Sequence, residues 1–388
     1  MLIVADRNIP FAQEAFGRLG EVVLIETGAI LPRVVHAADA LIVRSETPVG
    51  APLLDGSSIR FVGTATIGTD HIDTRYLERK GIAFASAPGS NANSVAEYVT
   101  AALLELAGRR GAGLADLTLG VVGVGHVGSK VVNAAGALGM NVLQCDPPLA
   151  RATGESRYRP LDELMGADII SLHVPLTADG ADPTYHLFDM ERLRKMNPGA
   201  VLINTSRGAV IDSAVLKEAL AAGALSAAVL DVWENEPAID AGLMRRTLLA
   251  TPHIAGYSLD GKVNAVRMIC AALCRFAGAD PRAVPSFHLP PPAIDRVTLA
   301  AASPDGEPAL RTVVSHCYDI VRDDRRLRGV EAVPAPLRAN YFRQLRKEYP
   351  VRREFPATTV VLPPERTSLS ATLRQFGFQT SSLAKHHA

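Results

Sequence analysis

A basic, an acidic and an imidazole group follow successive apolar segments in the second half of the sequence. Arg207 comes shortly after Val201–Ile203, an acidic cluster spans residues 231–236, and His253 follows a third short apolar segment. Ligands of open α/β sheets collect at the carboxyl ends of the strands, so we expect these groups to share one site. An Arg can hold a carboxylate through two parallel hydrogen bonds. An imidazole beside a carboxylate can exchange a proton with an alcohol near neutral pH.

The acid that would accompany His253 is not fixed by residue chemistry. Asp231, Glu234 and Glu236 lie within six residues of one another, in the run Asp-Val-Trp-Glu-Asn-Glu-Pro. Any of the three could orient an imidazole, and a solvated charged loop is the alternative interpretation of the whole cluster.

A glycine pattern predicts a dinucleotide site upstream of these groups. An apolar segment from Leu119 leads into G-x-G-x-x-G at Gly123, Gly125 and Gly128, followed by small residues at helical spacing. The first glycine permits a tight turn, the second lets backbone amides approach a pyrophosphate, and the third lets the helix pack close to the strand. The amino end of that helix then favours an anion.

Asp146 indicates which dinucleotide is bound. It lies eighteen residues past Gly128, at the end of the next apolar segment, where a carboxylate can accept hydrogen bonds from the adenine ribose. A 2′-phosphate would be repelled there, and Pro147 and Pro148 offer no cation to offset the repulsion; Arg151 is the nearest basic residue. The sequence therefore predicts NAD, and a hydride transfer to or from a small hydroxy acid is consistent with the neighbouring Arg, acid and His.

The elements that must position these groups alternate between strand and helix. This pattern predicts an α/β fold with two doubly wound parallel-sheet (Rossmann-like) domains. A long helix is expected over Ser94–Arg109, and the first helix is expected to begin near Pro10, with Asn8 as its cap, and to stop at Gly20. The expected strands are Leu2–Ala5, Glu21–Ile25, Ala40–Val43, Phe61–Gly63, Ala83–Ala85, Leu119–Val122, Val142–Cys145, Ile169–Leu172, Val201–Ile203, Ala227–Leu230 and Leu248–Leu249.

The texture of the chain changes after Pro281. Prolines at 285, 290, 291 and 292 predict an extended linker. The remaining segment, residues 286–388, carries the apolar run Val360–Leu362 and a helical stretch near Asn340–Arg346, so we expect a small C-terminal α+β domain.

Composition excludes several classes of protein. The 388 residues are 48% hydrophobic and 21% charged, and 40 Lys+Arg balance 40 Asp+Glu, so no net field steers the chain toward nucleic acid or an anionic membrane. No apolar run is long enough for a signal peptide or a membrane helix. Four cysteines without metal-binding or disulfide spacing favour the cytoplasm, and no metal site is expected.

The ordered set of motifs resembles the D-isomer-specific 2-hydroxyacid dehydrogenases over residues 1–285. The resemblance implies that Arg207 binds the carboxylate, that Glu236 partners the histidine, and that His253 is the acid/base. It also implies a substrate domain from residues 1–93 and 255–285 and a NAD-binding domain at 94–254. Similarity to members with a small extra C-terminal domain implies that residues 286–388 form a homodimer.

Within that family the sequence looks most like members that act on a small phosphorylated 2-hydroxy acid. The resemblance places Ser45, Thr66 and Tyr257 on substrate. Around NAD it places a larger set, namely Gly123, Gly125, His126, Val127, Gly128, Asp146, Val174, Asp231 and Gly256. Arg44 and the hydroxyl groups on the two strand-end loops near Ser45 and Thr66 are the expected surroundings of the phosphate. The alternatives are a related hydroxy acid such as 3-phosphoglycerate, or an NAD-sensing binding protein.

Overall fold

The computed structural model describes residues 1–111 and 113–383, in which strands and helices alternate along most of the chain. The strands are β1 (Leu2–Asp6), β2 (Glu21–Ile25), β3 (Ala40–Val43), β4 (Phe61–Thr64), β5 (Ala83–Ala85), β6 (Thr118–Val122), β7 (Asn141–Cys145), β8 (Ile169–Leu172), β9 (Val201–Asn204), β10 (Ala227–Leu230), β11 (Leu249–Ala250), β12 (Arg296–Thr298), β13 (Thr359–Leu362) and β14 (Gln379–Ser382). The α-helices are α1 (Ala12–Phe16), α2 (Pro32–Val35), α3 (Ala51–Leu54), α4 (Thr74–Arg79), α5 (Ala92–Arg110), α6 (His126–Ala137), α7 (Pro147–Thr153), α8 (Met190–Lys195), α9 (Ser213–Ala221), α10 (Ala241–Met244), α11 (Leu259–Phe276), α12 (Gly306–Cys317), α13 (Ile320–Arg328), α14 (Arg338–Lys347) and α15 (Thr367–Gln375).

The first compact unit comprises residues 1–91 and 258–290. Its five strands form a parallel sheet in the order β2-β1-β3-β4-β5. Helices cover both faces of such a sheet, which explains why β3 and β4 are almost uninterrupted apolar runs that are buried throughout. Helices α1 and α11 share one hydrophobic cluster with the strands.

The second compact unit comprises residues 92–257 together with the described residues after Pro291. Its main sheet has six parallel strands in the order β11-β10-β9-β8-β6-β7. The chain passes from β6 outward to β7 and then returns to the other side of β6 at β8, which creates a topological switch point between β6 and β8. A crevice outside the carboxyl ends of these strands is the expected ligand site in such a sheet.

The C-terminal segment belongs to this second unit and shares its core. A three-stranded parallel sheet, β12-β13-β14, is accompanied by α12–α15. Buried residues of α12, such as Val313, and of β13, such as Val360, lie in one hydrophobic cluster with Val99 and Leu103 of α5. The division of the chain into domains at 1–93 with 255–285, 94–254 and 286–388 therefore stays a proposal.

The predicted fold class is confirmed, and every predicted strand is present with ends that differ by at most one residue. The predicted start of the first helix is wrong. Helix α1 begins at Ala12, after Phe11 in a left-handed conformation, and it ends at Phe16 rather than at Gly20. Asn8 is not a cap, because its backbone and side-chain N–H groups both donate to the buried carboxylate of Asp6 (2.8 and 3.2 Å).

Among residues 1–111 and 113–383, no helix is long and apolar enough to cross a membrane. The same described residues contain no group of three His, Cys, Asp or Glu side chains arranged to hold a metal ion.

Candidate active site

The glycine-rich turn lies at the switch point of the second unit. Gly123 has a φ of +85°, and a β-carbon there would lie 2.7 Å from the carbonyl oxygen of His173, at the end of β8. A β-carbon on Gly128 would lie 1.9 Å from the carbonyl oxygen of Gly123, so only glycine lets α6 pack this close to β6. Gly125 precedes the first residue of α6, His126, and faces open space. The amides of Gly125, His126 and Val127 thus border a cradle that suits a pyrophosphate.

Asp146 is bonded to this cradle through both of its carboxylate oxygens. Oδ2 accepts the backbone N–H of Val124 at 2.8 Å, and Oδ1 accepts that of Leu149 at 3.0 Å, which caps α7. Each oxygen keeps a second lone pair for a ribose hydroxyl. Arg151, the basic residue nearest to Asp146 in the sequence, forms a bidentate ion pair with Asp182. These residues fit NAD.

A half-buried histidine that the sequence analysis missed lies beside the glycine turn. His173 bonds the hydroxyl of Ser171 through Nε2 (2.8 Å) and that of Thr205 through Nδ1 (3.2 Å). Burial lowers the pKa of His173 to about 3, so the ring is neutral. The next residue, Val174, contacts the position of Gly123 with its side chain. His173 therefore links the loop after β8 to the loop after β9.

Asn204 shapes the loop that carries Arg207. Its Oδ1 accepts the backbone N–H and the hydroxyl of Ser206 (3.0 and 2.8 Å), and its Nδ2 donates to the carbonyl of Arg207 (2.9 Å). Such an Asn turn at a strand end closes the loop without a helix. Arg207 is half-buried, and one of its Nη atoms donates to the carbonyl of Ser206 (2.8 Å).

The structure separates the three acids that the sequence left equivalent. Glu234 bonds His186 (2.8 Å) and the backbone N–H of Ser213 (3.1 Å), away from His253. Asp231 is 1% exposed, and its carboxylate accepts hydrogen bonds from buried groups of residues 251–255. Glu236 is the acid that contacts His253, and the alternative of a solvated charged loop is wrong because each of the three carboxylates has a defined partner.

Asp231 fixes the loop on which His253 lies. One of its oxygens accepts the hydroxyl of Thr251 (2.6 Å) and the N–H of Ile254 (2.8 Å), and the other accepts the N–H of Ala255 (2.9 Å). The N–H of His253 donates to the carbonyl of Asp231 at 2.7 Å. These bonds hold His253 with a φ of +57°, a conformation that is costly for a non-glycine residue.

His253 and Glu236 form a short pair, with Nδ1 of the ring 2.5 Å from Oε1 of the carboxylate. Oε2 of Glu236 accepts the N–H of Trp233 (3.3 Å), which orients the carboxylate. Burial opposes the charged form of Glu236, but its electrostatic interaction and hydrogen bond with His253, together with the charge of Arg346, outweigh burial and hold the pKa of this carboxyl below its usual value. A carboxylate on Nδ1 directs Nε2 outward as the proton acceptor.

The C-terminal segment contacts the same loop. Arg352 is buried, and its Nη2 donates to the carbonyl of Ala255 at 2.7 Å. The guanidinium carbon of Arg346 lies 5.5 Å from the centre of the Tyr257 ring, and the ring of Tyr349 meets that of Tyr257 edge-on at 5.9 Å. Sequence reasoning missed these contacts, because nothing in the local pattern relates positions a hundred residues apart.

The remaining expected residues lie in the first unit, where Ser45 follows β3 and Thr66 follows the adjacent strand β4. Ser45 is exposed; the hydroxyl of Thr66 is 2.7 Å from that of Thr64 and donates to the carbonyl of Gly68 (3.0 Å). Arg44, expected near the phosphate, forms an ion pair with the buried Asp6 (3.2 Å) and approaches Glu46 (3.8 Å).

Known proteins are similar to this chain along its whole length. Residues 91–255 match the family described as D-isomer specific 2-hydroxyacid dehydrogenase, NAD binding domain, and residues 288–377 match a domain of unknown function. An erythronate-4-phosphate dehydrogenase of Salinibacter ruber is 47% identical over 370 residues, covering 92% of this chain and 93% of that protein. An erythronate-4-phosphate dehydrogenase of Cronobacter sakazakii is 44% identical over 388 residues, covering 100% of this chain and 99% of that protein.

A solved relative extends the comparison to the fold. The D-lactate dehydrogenase of Aquifex aeolicus, in complex with NAD and lactic acid, has a TM-score of 0.59 at 27% identity, covering 72% of this chain and 96% of that one. The fold and the site thus define an NAD-dependent oxidoreductase, and the chain belongs to the D-isomer-specific 2-hydroxyacid dehydrogenases. Its full-length similarity lies with the erythronate-4-phosphate dehydrogenases of that family.

Proposed function

We propose that this protein oxidises 4-phospho-D-erythronate to 2-oxo-3-hydroxy-4-phosphobutanoate with NAD, a step of pyridoxal 5′-phosphate (vitamin B6) biosynthesis. The observation that carries the chemistry is the His253–Glu236 pair, with Nδ1 held at 2.5 Å and Nε2 left to face a substrate hydroxyl. The identity of the substrate is inferred from the name that the relatives from Salinibacter ruber and Cronobacter sakazakii share.

The residues divide the reaction between binding and proton transfer. Arg207 binds the substrate carboxylate and thereby orients the adjacent C2. NAD, when bound, accepts the hydride that leaves C2. Nε2 of His253 takes the proton of the C2 hydroxyl as the C–O bond becomes a carbonyl, and Glu236 stabilises the imidazolium that results. The electron pair of the broken O–H bond forms the second bond of the carbonyl.

The cofactor contacts rest on the cradle at the switch point. Gly123, Gly125 and Gly128 shape the turn, the amides of His126 and Val127 face the pyrophosphate, and Asp146 accepts from the adenine ribose. Val174, Asp231 and Gly256 complete the proposed set from the loops after β8, β10 and β11. Because the carboxylate of Asp231 is committed to residues 251–255, its part in cofactor binding is limited to its backbone and to the loop it supports.

Ser45, Thr66 and Tyr257 are proposed to contact the substrate. The arrangement of Arg207, Glu236 and His253 favours an enzyme over an NAD-sensing binding protein, because such a protein has no use for a carboxylate-oriented imidazole. A related acid such as 3-phosphoglycerate, one carbon shorter, is the alternative substrate.

The test is the rate of NADH formation with 4-phospho-D-erythronate, 3-phosphoglycerate and D-lactate at equal concentration, with a 2-oxo acid added in a parallel series. We expect a strong preference for the four-carbon phosphate. Activity with another acid alone would keep the mechanism and discard the substrate, and inactivity with all three would overturn the enzymatic assignment.

The protein is further proposed to be a cytoplasmic homodimer that associates through its C-terminal segment. All four cysteines are free thiols, as expected in a reducing compartment. In the C-terminal segment Leu337 and Val351 are 55% and 64% exposed, and large apolar side chains on a surface suit an interface. Light scattering should give twice the chain mass, and Leu337→Glu with Val351→Glu should shift it toward the monomer, whereas the control Tyr185→Ser should not. A dimer that survives both changes would place the interface elsewhere.

A further inference from the structure

We propose that Arg346, on helix α14 of the C-terminal segment, binds the phosphate of the substrate. The inference rests on the proposed function and assigns the group that recognises its second anionic end. It makes the C-terminal segment part of the active site of its own chain, in addition to any role in association.

The position of Arg346 places its charge beside the catalytic pair. Its guanidinium carbon is 5.5 Å from the centre of the Tyr257 ring, four residues past His253. Its charge also acts on Glu236, whose ionised form it favours. Helix α14 is anchored by the buried side chains of Phe342 and Leu345, which fix where Arg346 emerges.

The charges of the site require a cation here. The proposed substrate carries a carboxylate and a phosphate of about two negative charges. Arg207 serves the carboxylate, while Glu236 adds a further negative charge that repels the phosphate. The guanidinium of Arg346, whose charge acts on Glu236, would offset this repulsion and offers a fork of N–H donors that matches phosphate oxygens.

Arg44, the cation that the sequence analysis placed near the phosphate, is less suited to the task. It is bonded at 3.2 Å to the fully buried carboxylate of Asp6, whereas Glu236, on which the charge of Arg346 acts, is partly exposed. Withdrawing Arg44 from Asp6 would leave a buried carboxylate uncompensated, which is costly.

Tyr349 holds in place the ring of Tyr257, over which the guanidinium of Arg346 lies. The ring of Tyr349 packs edge-on against Tyr257, at an interplanar angle of 80°, and the Tyr349 hydroxyl donates to Asp323 at 2.6 Å. A guanidinium above an aromatic ring keeps its N–H donors at its edge, where they can bond an anion while the cation–π contact persists. Tyr257 therefore orients Arg346 as well as lining the site.

The experiment compares two acids that differ only in the phosphate. For the wild-type protein, Arg346→Gln and Arg346→Lys, the dissociation constants of 4-phospho-D-erythronate and D-erythronate are measured by calorimetry in the presence of NADH, and kcat/KM is measured where turnover permits. Arg343→Gln, an exposed residue of the same helix, is the matched control. Melting temperatures establish that each variant is folded.

We expect Arg346→Gln to weaken binding of the phosphorylated acid by about 10- to 100-fold and that of D-erythronate by less than about threefold. Arg346→Lys should recover part of the loss, and Arg343→Gln should match the wild type. Equal losses for both acids, accompanied by a shifted pH profile of kcat, would mean that Arg346 acts only through Glu236, and would overturn the inference. The inference would also be overturned if Arg346→Gln left the dissociation constants of both acids unchanged. Wild-type protein that does not oxidise 4-phospho-D-erythronate would instead overturn the proposed function itself.

Discussion

The buried guanidinium of Arg352 donates a hydrogen bond of 2.7 Å to the carbonyl of Ala255, two residues past His253. The same Nη2 donates to the carbonyl of Ser94 in helix α5 (3.2 Å), and the guanidinium carbon lies 4.3 Å from the centre of the Tyr318 ring. One side chain of the C-terminal segment thus ties the loop that carries His253 to the long helix α5. The geometry of that loop depends on a residue about a hundred positions away in the chain.

Replacing Arg352 with Lys should lower both stability and turnover. A Lys keeps the charge but lacks the planar guanidinium that stacks on Tyr318, and its shorter side chain holds the ammonium farther from the two carbonyls, so a buried carbonyl loses its partner at a cost of about 1–3 kcal/mol. We expect a lower melting temperature and a reduced kcat, with the affinity for NAD nearly unchanged. The control is Arg325→Lys, on the exposed side of α13. If Arg352→Lys behaves like this control in both measurements, the loop does not depend on Arg352.

The His253–Glu236 pair should behave as a unit in kinetics. His253→Ala should lower kcat on the order of 10²-fold or more, because the proton acceptor is removed, with little effect on the affinity for NAD. Glu236→Gln keeps a hydrogen bond to Nδ1 but loses the charge that stabilises the imidazolium, so it should also lower kcat. The double variant should be no slower than His253→Ala alone, since both changes remove one function. Multiplied losses would show that the two residues act independently.

Replacing Asp146 should affect both cofactor choice and stability. Asp146→Ala removes the carboxylate that would repel a 2′-phosphate, so the preference of kcat/KM for NAD over NADP should narrow. It also removes the partners of the Val124 and Leu149 amides, which should lower the melting temperature. Asp189→Ala is the control, because it removes the cap of α8, a bond of 2.9 Å from Arg192, away from the cofactor cradle. An NAD preference that is unchanged in Asp146→Ala would place the ribose elsewhere.

Local patterns predicted the parts of the molecule that depend on local forces. Parallel strands covered on both faces are apolar runs, and the turn at Gly123 needs a positive φ, so both are legible in the sequence. Residue chemistry did not distinguish Glu236 from Asp231 and Glu234, because the choice depends on how two loops meet across β10 and β11; only the resemblance to the family indicated Glu236. The contacts of Arg346 with Tyr257 and of Arg352 with Ser94 were also hidden, since each joins positions far apart in the sequence.

The half-buried ring of His173 should make stability depend on pH. Burial lowers its pKa to about 3 in the folded protein, whereas an exposed His has a pKa of about 6.5. Below pH 6.5 His173 binds a proton in the unfolded chain but stays neutral in the folded chain until the pH approaches 3. Its contribution to stability is therefore complete above pH 6.5 and is lost as the pH falls toward 3.

At pH 5 this proton uptake should cost about 2 kcal/mol. His173→Gln retains a side chain that can bond Ser171 or Thr205 but does not titrate, so its stability at neutral pH should be lower while its decline between pH 7.5 and 5 should be shallower than that of the wild type. The measurement is the melting temperature of each protein at both pH values. His316→Gln, which removes an exposed histidine, should keep the wild-type decline. Equal declines in wild type and His173→Gln would show that His173 is not held neutral by burial.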